Sequence, residues 1–379
     1  MRKRIGTGQA ARTSASMVAM MLTMMLVMML VLAGCGGSGN NAAAPGAEPS
    51  SANAANGAAD EASGGNAATA AEPVTVKLQL KWVPQAQFAG YFVAQEKGYY
   101  EAEGLKVDIL PGGPDIVPEQ QVAGGAADIG VDWVASLLTS QEQEMPLVQI
   151  AQIYQKSGLV LVSKKSAGIN SPADLKGKKV GNWMGGNEFE VLALFDKYKL
   201  DPNKDLNFTK QGFTMDQFLT GEIDAASAMT YNEYQVAIES GVAAADMNVI
   251  DMNAEGVAML EDNLFANKEW LEKNKETAAK FVRASLKGWK DAIDDPEAAV
   301  DSVMKLVEEG STSRDHQLKM MEEVSKLILP EGADASKMGY TDEAMFKQTA
   351  DIAYQFGVIK EPANLEEAFT NEIVEMAAK

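Results

Sequence analysis

Short apolar runs alternate with amphipathic stretches between residues 74 and 251. Apolar runs of this length, bounded by Gly, Pro, Asn or Asp, predict β-strands. Nine strands are predicted, at 74–80, 105–110, 129–131, 147–153, 159–162, 179–182, 206–209, 225–228 and 249–251. Helical spacing of apolar residues predicts helices between them, at 88–97, 118–123, 187–198 and 216–219. Such alternation is typical of an α/β fold with mainly parallel sheets.

After residue 262 the pattern becomes helical to the end of the chain. Five stretches show apolar residues at helical spacing, at 268–274, 275–294, 296–309, 314–327 and 342–356. We therefore expect a helical C-terminal tail behind the α/β part.

One short pattern occurs twice. The segment 121–130 (QVAGGAADIG) resembles 217–226 (QFLTGEIDAA), with Gly125 aligned to Gly221 and Asp128 to Asp224. Each copy is typical of a helix end, a glycine in the left-handed cap position and a strand that opens near the aspartate. Chance is the alternative, because helix–glycine–strand joints are common. The repeat favours two similar α/β lobes, with a ligand cleft between them and hinge closure as the motion.

The N-terminus has the pattern of an export signal. Four basic residues precede an uncharged run of Met, Leu and Val at 17–33, which is short for a membrane span and ordinary for a signal peptide. The run ends in Leu-Ala-Gly-Cys, the arrangement of a bacterial lipobox, at Cys35. We expect residues 1–34 to be removed and Cys35 to carry a lipid that anchors the chain to the extracytoplasmic face of the cell membrane. The alternative is a plain membrane anchor with an incidental cysteine.

Residues 36–72 are mostly Gly, Ala, Ser and Asn, a composition that cannot bury a core. We expect residues 35–72 to be a lipidated, disordered linker. The remaining chain is long enough for two lobes, predicted at 73–163 plus 252–379 for lobe 1 and at 164–251 for lobe 2. We expect a monomer.

Charge and cysteine content exclude several functions. The net charge is −20, and removing the four basic residues of the signal peptide makes it about −24. So acidic a body disfavours nucleic acid and anionic lipid as partners. With one cysteine in the chain, neither an internal disulfide nor a cysteine-based metal site can form.

Several segments resemble a known family. The stretch KWVPQAQFAGYFVAQEKGYY at 81–100, followed by EGL at 103–105, is similar to the opening of solute-binding proteins of the THI5/NMT1-like family. GAADIG at 125–130, DLKGKKVG at 174–181 and GEIDA at 221–225 also match, although they are less specific. The resemblance covers about residues 74–234 well and the helical tail loosely.

This resemblance implies a two-lobed, type II-like periplasmic-binding-protein fold. It also implies a partner, an ABC permease with a separate ATPase subunit, to which the captured ligand is delivered. Members of the family bind pyrimidine precursors of thiamine, such as hydroxymethylpyrimidine or formylaminopyrimidine, and a related branch takes riboflavin. More distant relatives bind sulfonates, taurine or nitrate.

Residue types in the chain distinguish among these ligand classes. Binding proteins for anions often use arginine forks, but after the signal peptide only Arg283 and Arg314 remain, both in the helical tail. Three tryptophans, by contrast, directly follow predicted strands, where α/β proteins bind ligands. Flat heteroaromatic rings stack on such side chains. A thiamine pyrimidine is the first ligand expected, riboflavin the alternative, and a small anion the third possibility.

The candidate ligand contacts follow from these positions and from the resemblance. They are Trp82, Gln87, Tyr91, Asp132, Trp133, Trp183, Gly186, Asn187, Glu188, Glu190, Tyr231, Asn232 and Glu233. Burial in the core is an equal alternative for Tyr91. A helix cap formed by Asn187 with Glu190 is the structural alternative for those two residues. The resemblance implies a glutamate in this region that pairs with ring nitrogens, either Glu188 or Glu190.

The rival class is catalysis, since a eukaryotic branch of the resembled family consists of synthases that use histidine and a cysteine-rich iron motif. This chain has one histidine, His316, and its one cysteine is predicted to carry lipid. Neither a His/Cys metal centre nor a Ser-His-Asp or Cys-His arrangement can be assembled. We expect a binding protein that uses no catalytic residue, metal or cofactor, rather than an enzyme or a structural lipoprotein.

Overall fold

The computed structural model of the protein describes residues 72–184 and 186–379. The predicted signal peptide, the lipid attachment at Cys35 and all but the last residue of the predicted linker lie outside the described residues. Within the described part, no helix combines the length and the apolar character that crossing a bilayer requires.

The described residues form ten strands and thirteen α-helices. The strands are β1 (Val74–Gln79), β2 (Leu105–Leu110), β3 (Ile129–Asp132), β4 (Leu147–Gln152), β5 (Leu159–Lys164), β6 (Lys179–Asn182), β7 (Asn207–Lys210), β8 (Ala225–Met229), β9 (Met247–Asp251) and β10 (Asn263–Asn267). The helices are α1 (Ala89–Glu96), α2 (Tyr99–Ala102), α3 (Pro118–Ala123), α4 (Val134–Glu142), α5 (Phe189–Lys197), α6 (Asp216–Thr220), α7 (Glu233–Glu239), α8 (Lys268–Asp294), α9 (Pro296–Val303), α10 (Arg314–Ile328), α11 (Glu343–Gln355), α12 (Leu365–Ala368) and α13 (Glu372–Ala377).

The strands build two five-stranded sheets with the same internal order. Sheet 1 runs β2-β1-β3-β10-β4, and sheet 2 runs β7-β6-β8-β5-β9. In each sheet the first three strands are parallel, and the fourth is antiparallel to both of its neighbours. The prediction of a two-lobed α/β fold is confirmed. Both sheets are mixed, however, because β10 in sheet 1 and β5 in sheet 2 run antiparallel to the other four strands. Each is the first strand that the chain forms after it crosses from the other lobe.

The sequence repeat occupies equivalent places in the two sheets. Gly125 and Gly221 both have left-handed backbone, with φ of 76° and 78°. Asp128 then accepts a hydrogen bond from Lys77 N of β1 at 2.8 Å, and Asp224 accepts one from Lys179 N of β6, also at 2.8 Å. The two copies therefore make the same joint, in which an aspartate ties the start of the third strand in the sheet order (β3 or β8) to the second (β1 or β6).

One prediction for the region after residue 251 needs correction. The tail is not purely helical, because β10 inserts between β3 and β4 at the heart of sheet 1. The break predicted between 268–274 and 275–294 is confirmed, because Asn274 has non-helical backbone and kinks the helix there; we describe both parts together as α8.

The sheets also locate the lobes. β5 pairs with β8 and β9 in sheet 2, although most of this strand falls before the predicted boundary at residues 163 and 164. We therefore define lobe 1 as residues 73–158 plus 252–379 and lobe 2 as residues 159–251. Segments 153–158 and 252–262 connect the two sheets, and we call them the hinge segments.

Helices α1 and α8 pack against each other in lobe 1 without intervening side chains. A Cβ on Gly288 would stand 2.1 Å from the carbonyl oxygen of Gly90, and a Cβ on Gly90 would stand 2.1 Å from the ring of Trp289. Trp289 is buried and meets Tyr91 edge-on, with ring centroids 5.4 Å apart. This close contact fixes α1, and with it the preceding loop that carries Trp82 and Gln87.

Candidate functional site

A cleft of about 730 Å³ is lined by residues of both lobes. Much of its wall comes from segments that follow the carboxyl ends of β1, β2, β3, β6, β7 and β8, the edge at which parallel strands deliver ligand contacts. Of the candidate contacts, the structure brings ten to this wall. They are Trp82, Gln87, Asp132, Trp133, Trp183, Gly186, Asn187, Tyr231, Asn232 and Glu233.

Aromatic rings form much of the cleft wall. Trp82 and Trp133 belong to lobe 1, and Trp183 belongs to lobe 2. Trp82 also meets Phe213 of lobe 2, with ring centroids 5.3 Å apart and ring planes at 47°. Phe213 is 58% exposed although it is large and apolar. The cleft therefore offers aromatic surface from both sides.

Lys81, Asp132 and Glu119 lie on the lobe 1 wall, and Asp262 is buried close to them. Lys81 forms an ion pair with Asp132 and lies over the ring of Trp133, 4.7 Å from its centroid. Burial alone would lower the pKa of Lys81, but Asp132, Glu119 and Asp262 outweigh it and raise that pKa. Burial and the charge of Asp132 raise the pKa of Glu119 well above its usual range. Asp132 pairs with the one lysine of this wall, so that cation is not free to bind an anion.

Three buried polar atoms of wall residues have no hydrogen-bond partner within the described chain. They are Oε1 of Glu119 and the indole Nε1 atoms of Trp133 and Trp183. An unsatisfied buried polar group costs about 1–3 kcal/mol, and a ligand that satisfies it recovers this energy. The wall can therefore accept a ligand that has an aromatic face together with donors and acceptors on its edges.

Three candidate contacts are not brought to the cleft wall. Tyr91 packs under Trp289 in the core, the alternative that the sequence left open. Glu188 turns back and accepts a hydrogen bond from Gly186 N at 2.9 Å. Glu190 is buried, with its carboxyl group bound by Met259 N and the Ser157 hydroxyl.

The predicted helix cap is wrong. Helix α5 begins at Phe189 and has no side-chain cap, and the Asn187 amide donates to the carbonyl oxygen of Met184 instead. Asn187 is thereby left on the cleft wall.

Glu190 belongs to a cluster of carboxyl groups at the hinge. The Ser157 hydroxyl oxygen lies 3.0 Å from Glu190 Oε2 and 2.6 Å from Glu261 Oε1, and it accepts a hydrogen bond from Leu159 N. A hydroxyl group has one hydrogen to donate, so one of the two carboxyl contacts requires a protonated acid. Burial, opposed in part by the hydrogen bond from Ser157, raises the pKa of Glu261 to about 8. A neutral acid thus joins the two hinge segments to helix α5.

These buried acids make stability depend on pH. Burial also raises the pKa of Asp262 and of Glu233 to about 7 each. Between pH 5 and 7 the folded chain keeps protons that the unfolded chain has released. The free energy of unfolding should therefore fall as pH rises, by up to about 1.4 kcal/mol per pH unit for each group. Chemical unfolding at pH 5, 6, 7 and 8 measures this slope.

A variant of Glu261 measures how much this hinge residue contributes to the pH dependence of the free energy of unfolding. Glu261→Gln keeps an acceptor oxygen for Ser157 and Gly158 but cannot titrate, so its slope should be shallower than that of the unmodified chain. Glu322→Gln is the matched control, because Glu322 pairs with Lys319 on the exposed side of α10. Stability that rises steadily from pH 5 to pH 8 would contradict this account of the hinge.

Several wall residues have no signal in the sequence that marks them as contacts. Lys81, Glu119, Lys210 and Phe213 line the cleft but are ordinary charged or loop residues in the linear sequence. Glu119 lies in the first turn of α3, where an acidic residue is common in any helix. Each becomes a wall residue only through the packing of strands that are distant in sequence.

The two arginines lie away from the cleft, as the sequence predicts. Arg283 binds Glu103 at 2.8 Å, and Arg314 binds Asp301 at 3.0 Å. In the described part of the chain no group of three or more His, Cys, Asp or Glu side chains is placed to hold a metal ion. The arrangement suits reversible binding of an uncharged aromatic molecule.

Comparison with known proteins places the chain in a family. The model of the family described as NMT1/THI5 like matches residues 85–299. The chain belongs to the NMT1/THI5-like family. A riboflavin-binding protein, RibY, from Chloroflexus aurantiacus is 27% identical over 313 residues, which cover 79% of this chain and 86% of that protein. A formylaminopyrimidine-binding protein from Halalkalibacterium halodurans is 25% identical over 302 residues, covering 78% of this chain and 90% of that protein.

The fold is also similar to that of a solved structure, SsuA from Methylobacillus flagellatus. That protein is described as a putative periplasmic sulfonate-binding protein of an ABC transporter. The two folds superpose with a TM-score of 0.61 at 16% sequence identity, over 81% of this chain and 94% of that chain. The similarity establishes the fold of a periplasmic binding protein.

Proposed function

We propose that the protein is the extracytoplasmic solute-binding lipoprotein of an ABC importer, and that it captures a flat, uncharged nitrogen heterocycle. The composition of the cleft wall carries this proposal: tryptophans from both lobes surround unpartnered polar atoms, and arginine is absent from the lining. Stacking on the rings supplies affinity, and the polar edges supply specificity. The names of the two relatives above are consistent with a ligand of this kind.

We propose riboflavin, the alternative ligand of the sequence analysis, as the first ligand to test. Its three fused rings cover more of an aromatic wall than a single ring does, and a cleft of about 730 Å³ is in the range for ligands of this size. Its imide edge carries both donors and acceptors, which match the Glu119 carboxyl group and the two indole N–H groups. A thiamine pyrimidine is the second candidate, because a carboxyl oxygen such as Glu119 Oε1 suits the amino group of an aminopyrimidine.

The remaining parts of the proposal follow from the sequence. A lipid on Cys35 and the linker at 35–72 would hold a monomeric body near its permease, and a separate ATPase subunit would drive transport. We infer that the protein is not an enzyme. Its one cysteine is assigned to the lipid, and its one histidine is packed between Glu239 and Asn232.

The test is to bring the purified protein together with the candidate ligands. A flavin absorbance band in the preparation, or tight binding of added riboflavin by calorimetry, supports the first ligand. Binding of formylaminopyrimidine or hydroxymethylpyrimidine without riboflavin binding supports the second. Binding of taurine or nitrate alone would overturn the proposal.

Substitution of the tryptophans tests how the ligand is held. Trp133→Ala and Trp183→Ala should each weaken binding by about 1–3 kcal/mol, because each removes a stacking surface and an indole donor. Trp133→Phe keeps the ring face and loses only the donor, so its effect should be smaller. Calorimetric dissociation constants give the comparison.

Glu188→Gln is the matched control for this series. Its carboxylate accepts a hydrogen bond from Gly186 N and Glu188 does not line the cleft, so the ligand affinity should not change. If Glu188→Gln weakens binding and both tryptophan variants do not, the ligand does not occupy the cleft as proposed.

A further inference from the structure

The only histidine of the chain connects the two lobes beside the cleft. His316 lies in the first turn of α10 and is 7% exposed. Its Nδ1 lies 3.0 and 3.1 Å from the two carboxylate oxygens of Glu239 on α7. Its Nε2 lies 3.0 Å from Oδ1 of Asn232, which precedes α7. A residue of the C-terminal tail thus contacts the cleft wall of lobe 2.

Both ring nitrogens of His316 face acceptors. An ionised Glu239 offers only acceptor oxygens. The amide group of Asn232 donates to Glu233 Oε1 at 3.0 Å, which turns its carbonyl oxygen towards the ring. Two hydrogen bonds of this kind require a hydrogen on each ring nitrogen, and therefore a protonated imidazole. The geometry selects the charged form.

The protonated ring is linked to the site through a short chain of hydrogen bonds. His316 holds Asn232, Asn232 holds Glu233, and Glu233 Oε2 accepts from Met229 N at 2.9 Å. Asn232, Glu233 and Met229 all line the cleft. Loss of one proton from the ring leaves either Glu239 or Asn232 facing a bare nitrogen lone pair.

Other charged groups near the ring are few or already paired. Arg314, two residues earlier on α10, binds Glu297 and Asp301 at the helix α9 side. Lys319 pairs with Glu322 on the same helix. The charged groups on α7, on α9 and within three residues of the ring on α10 are Glu233 and Glu239, Glu297 and Asp301, and Arg314, Asp315 and Lys319.

We propose that His316 is a positioning residue, which in its protonated form orients Asn232 in the cleft wall and so makes ligand capture depend on pH. The inference about capture rests on the function proposed above. At pH values where the ring is protonated, Asn232 is held in one orientation. Above them, the side chain of Asn232 is released and the ligand loses a preorganised contact.

Nuclear magnetic resonance tests the positioning without any ligand. The ring signals of a histidine-labelled sample report His316 alone, and an asparagine-labelled sample, assigned with Asn232→Ser, reports the Asn232 side-chain amide. Both should change with a common midpoint as the pH is varied. Glu239→Gln removes the anion beside the ring and should move both midpoints to lower pH together.

Two variants separate His316 from its neighbours in this measurement. Glu233→Gln removes the other titrating group that contacts Asn232, and the step in the Asn232 signal should remain. Glu322→Gln, on the outer side of α10, should leave both midpoints unchanged. If the Asn232 signal fails to follow the ring when Glu239→Gln shifts it, the positioning role is overturned.

Ligand affinity supplies the functional readout. With riboflavin or formylaminopyrimidine as the probe, affinity should be higher on the acidic side of that midpoint than on the basic side. About a fivefold part of the difference should disappear in His316→Gln. An unchanged pH dependence in His316→Gln would overturn the inference about capture. If neither probe binds at any pH, the proposed function fails, and the resonance experiment still decides the role of His316.

Discussion

Replacing Gly288 by alanine is expected to lower the free energy of unfolding by about 3 kcal/mol, at the upper end of the usual penalty for overpacking. The new methyl group would stand 2.1 Å from the carbonyl oxygen of Gly90 and 2.7 Å from Cβ of Ala94. A backbone carbonyl within a helix cannot turn aside, so α1 and α8 must separate. Their separation would loosen the packing around Trp289, which is buried.

Chemical unfolding at fixed pH measures this loss directly. Gly212→Ala is the matched control, because a Cβ there meets no atom within 4 Å and the backbone is not left-handed. Its stability should stay within about 0.5 kcal/mol of the unmodified chain. Equal denaturation midpoints for the Gly288 and Gly212 variants would show that the helices are free to adjust, which would contradict the close contact described here.

The repeated lobe could be predicted from sequence because its signals are local. A left-handed glycine and an aspartate three residues later define each joint, and both copies take the same geometry at β3 and β8. Most strands were likewise predictable, since apolar runs between turn residues mark them. Such signals need no knowledge of the rest of the chain.

Strand β10 could not be predicted in the same way. Its five residues include only three apolar ones between Asn263 and Asn267, and a long helical pattern begins directly after them. The strand is stabilised by pairing with β3 and β4, which lie over a hundred residues earlier. The strand forms between β3 and β4 only after the chain has returned from lobe 2 to lobe 1.

The candidate site, too, could be predicted only where the signals are local. The three tryptophans were predictable because each follows a strand, and the structure brings all three to the cleft wall. Tyr91 follows a helical pattern that fits core and cleft equally well, and it lies in the core. His316 could not be found, because 84 residues separate it from Asn232. Its position depends on how the tail packs on lobe 2.

The charge of the cleft wall connects the site to the acidity of the whole chain. The net charge of the chain is −20. The lobe 1 wall has one lysine, Lys81, and this lysine forms an ion pair with Asp132. An anion entering the cleft would have to compete with Asp132 for Lys81. Lys81 is therefore better understood as a structural counter-ion than as a ligand-binding group.

Lys81→Met is consequently expected to lower the free energy of unfolding by about 3 kcal/mol at pH 8, because breaking a buried ion pair leaves an uncompensated charge. Asp132, whose side chain is 5% exposed, would lose its cation beside two further acids. At pH 5 the loss should be smaller, since the folded variant can take up protons on these carboxyl groups. Unfolding curves at the two pH values provide the measurement.

Two further variants distinguish lost charge pairing from lost packing. Asp132→Asn in the Lys81→Met background should restore part of the stability at pH 8, because it removes the unpaired charge without refilling the volume of the lysine. Lys210→Met is the matched control, since Lys210 also lines the cleft but is exposed and has no ion pair within the described residues. A loss that is equal at pH 5 and pH 8, and that Asp132→Asn does not reduce, would mean that Lys81 contributes through the packing of its aliphatic chain on Trp133.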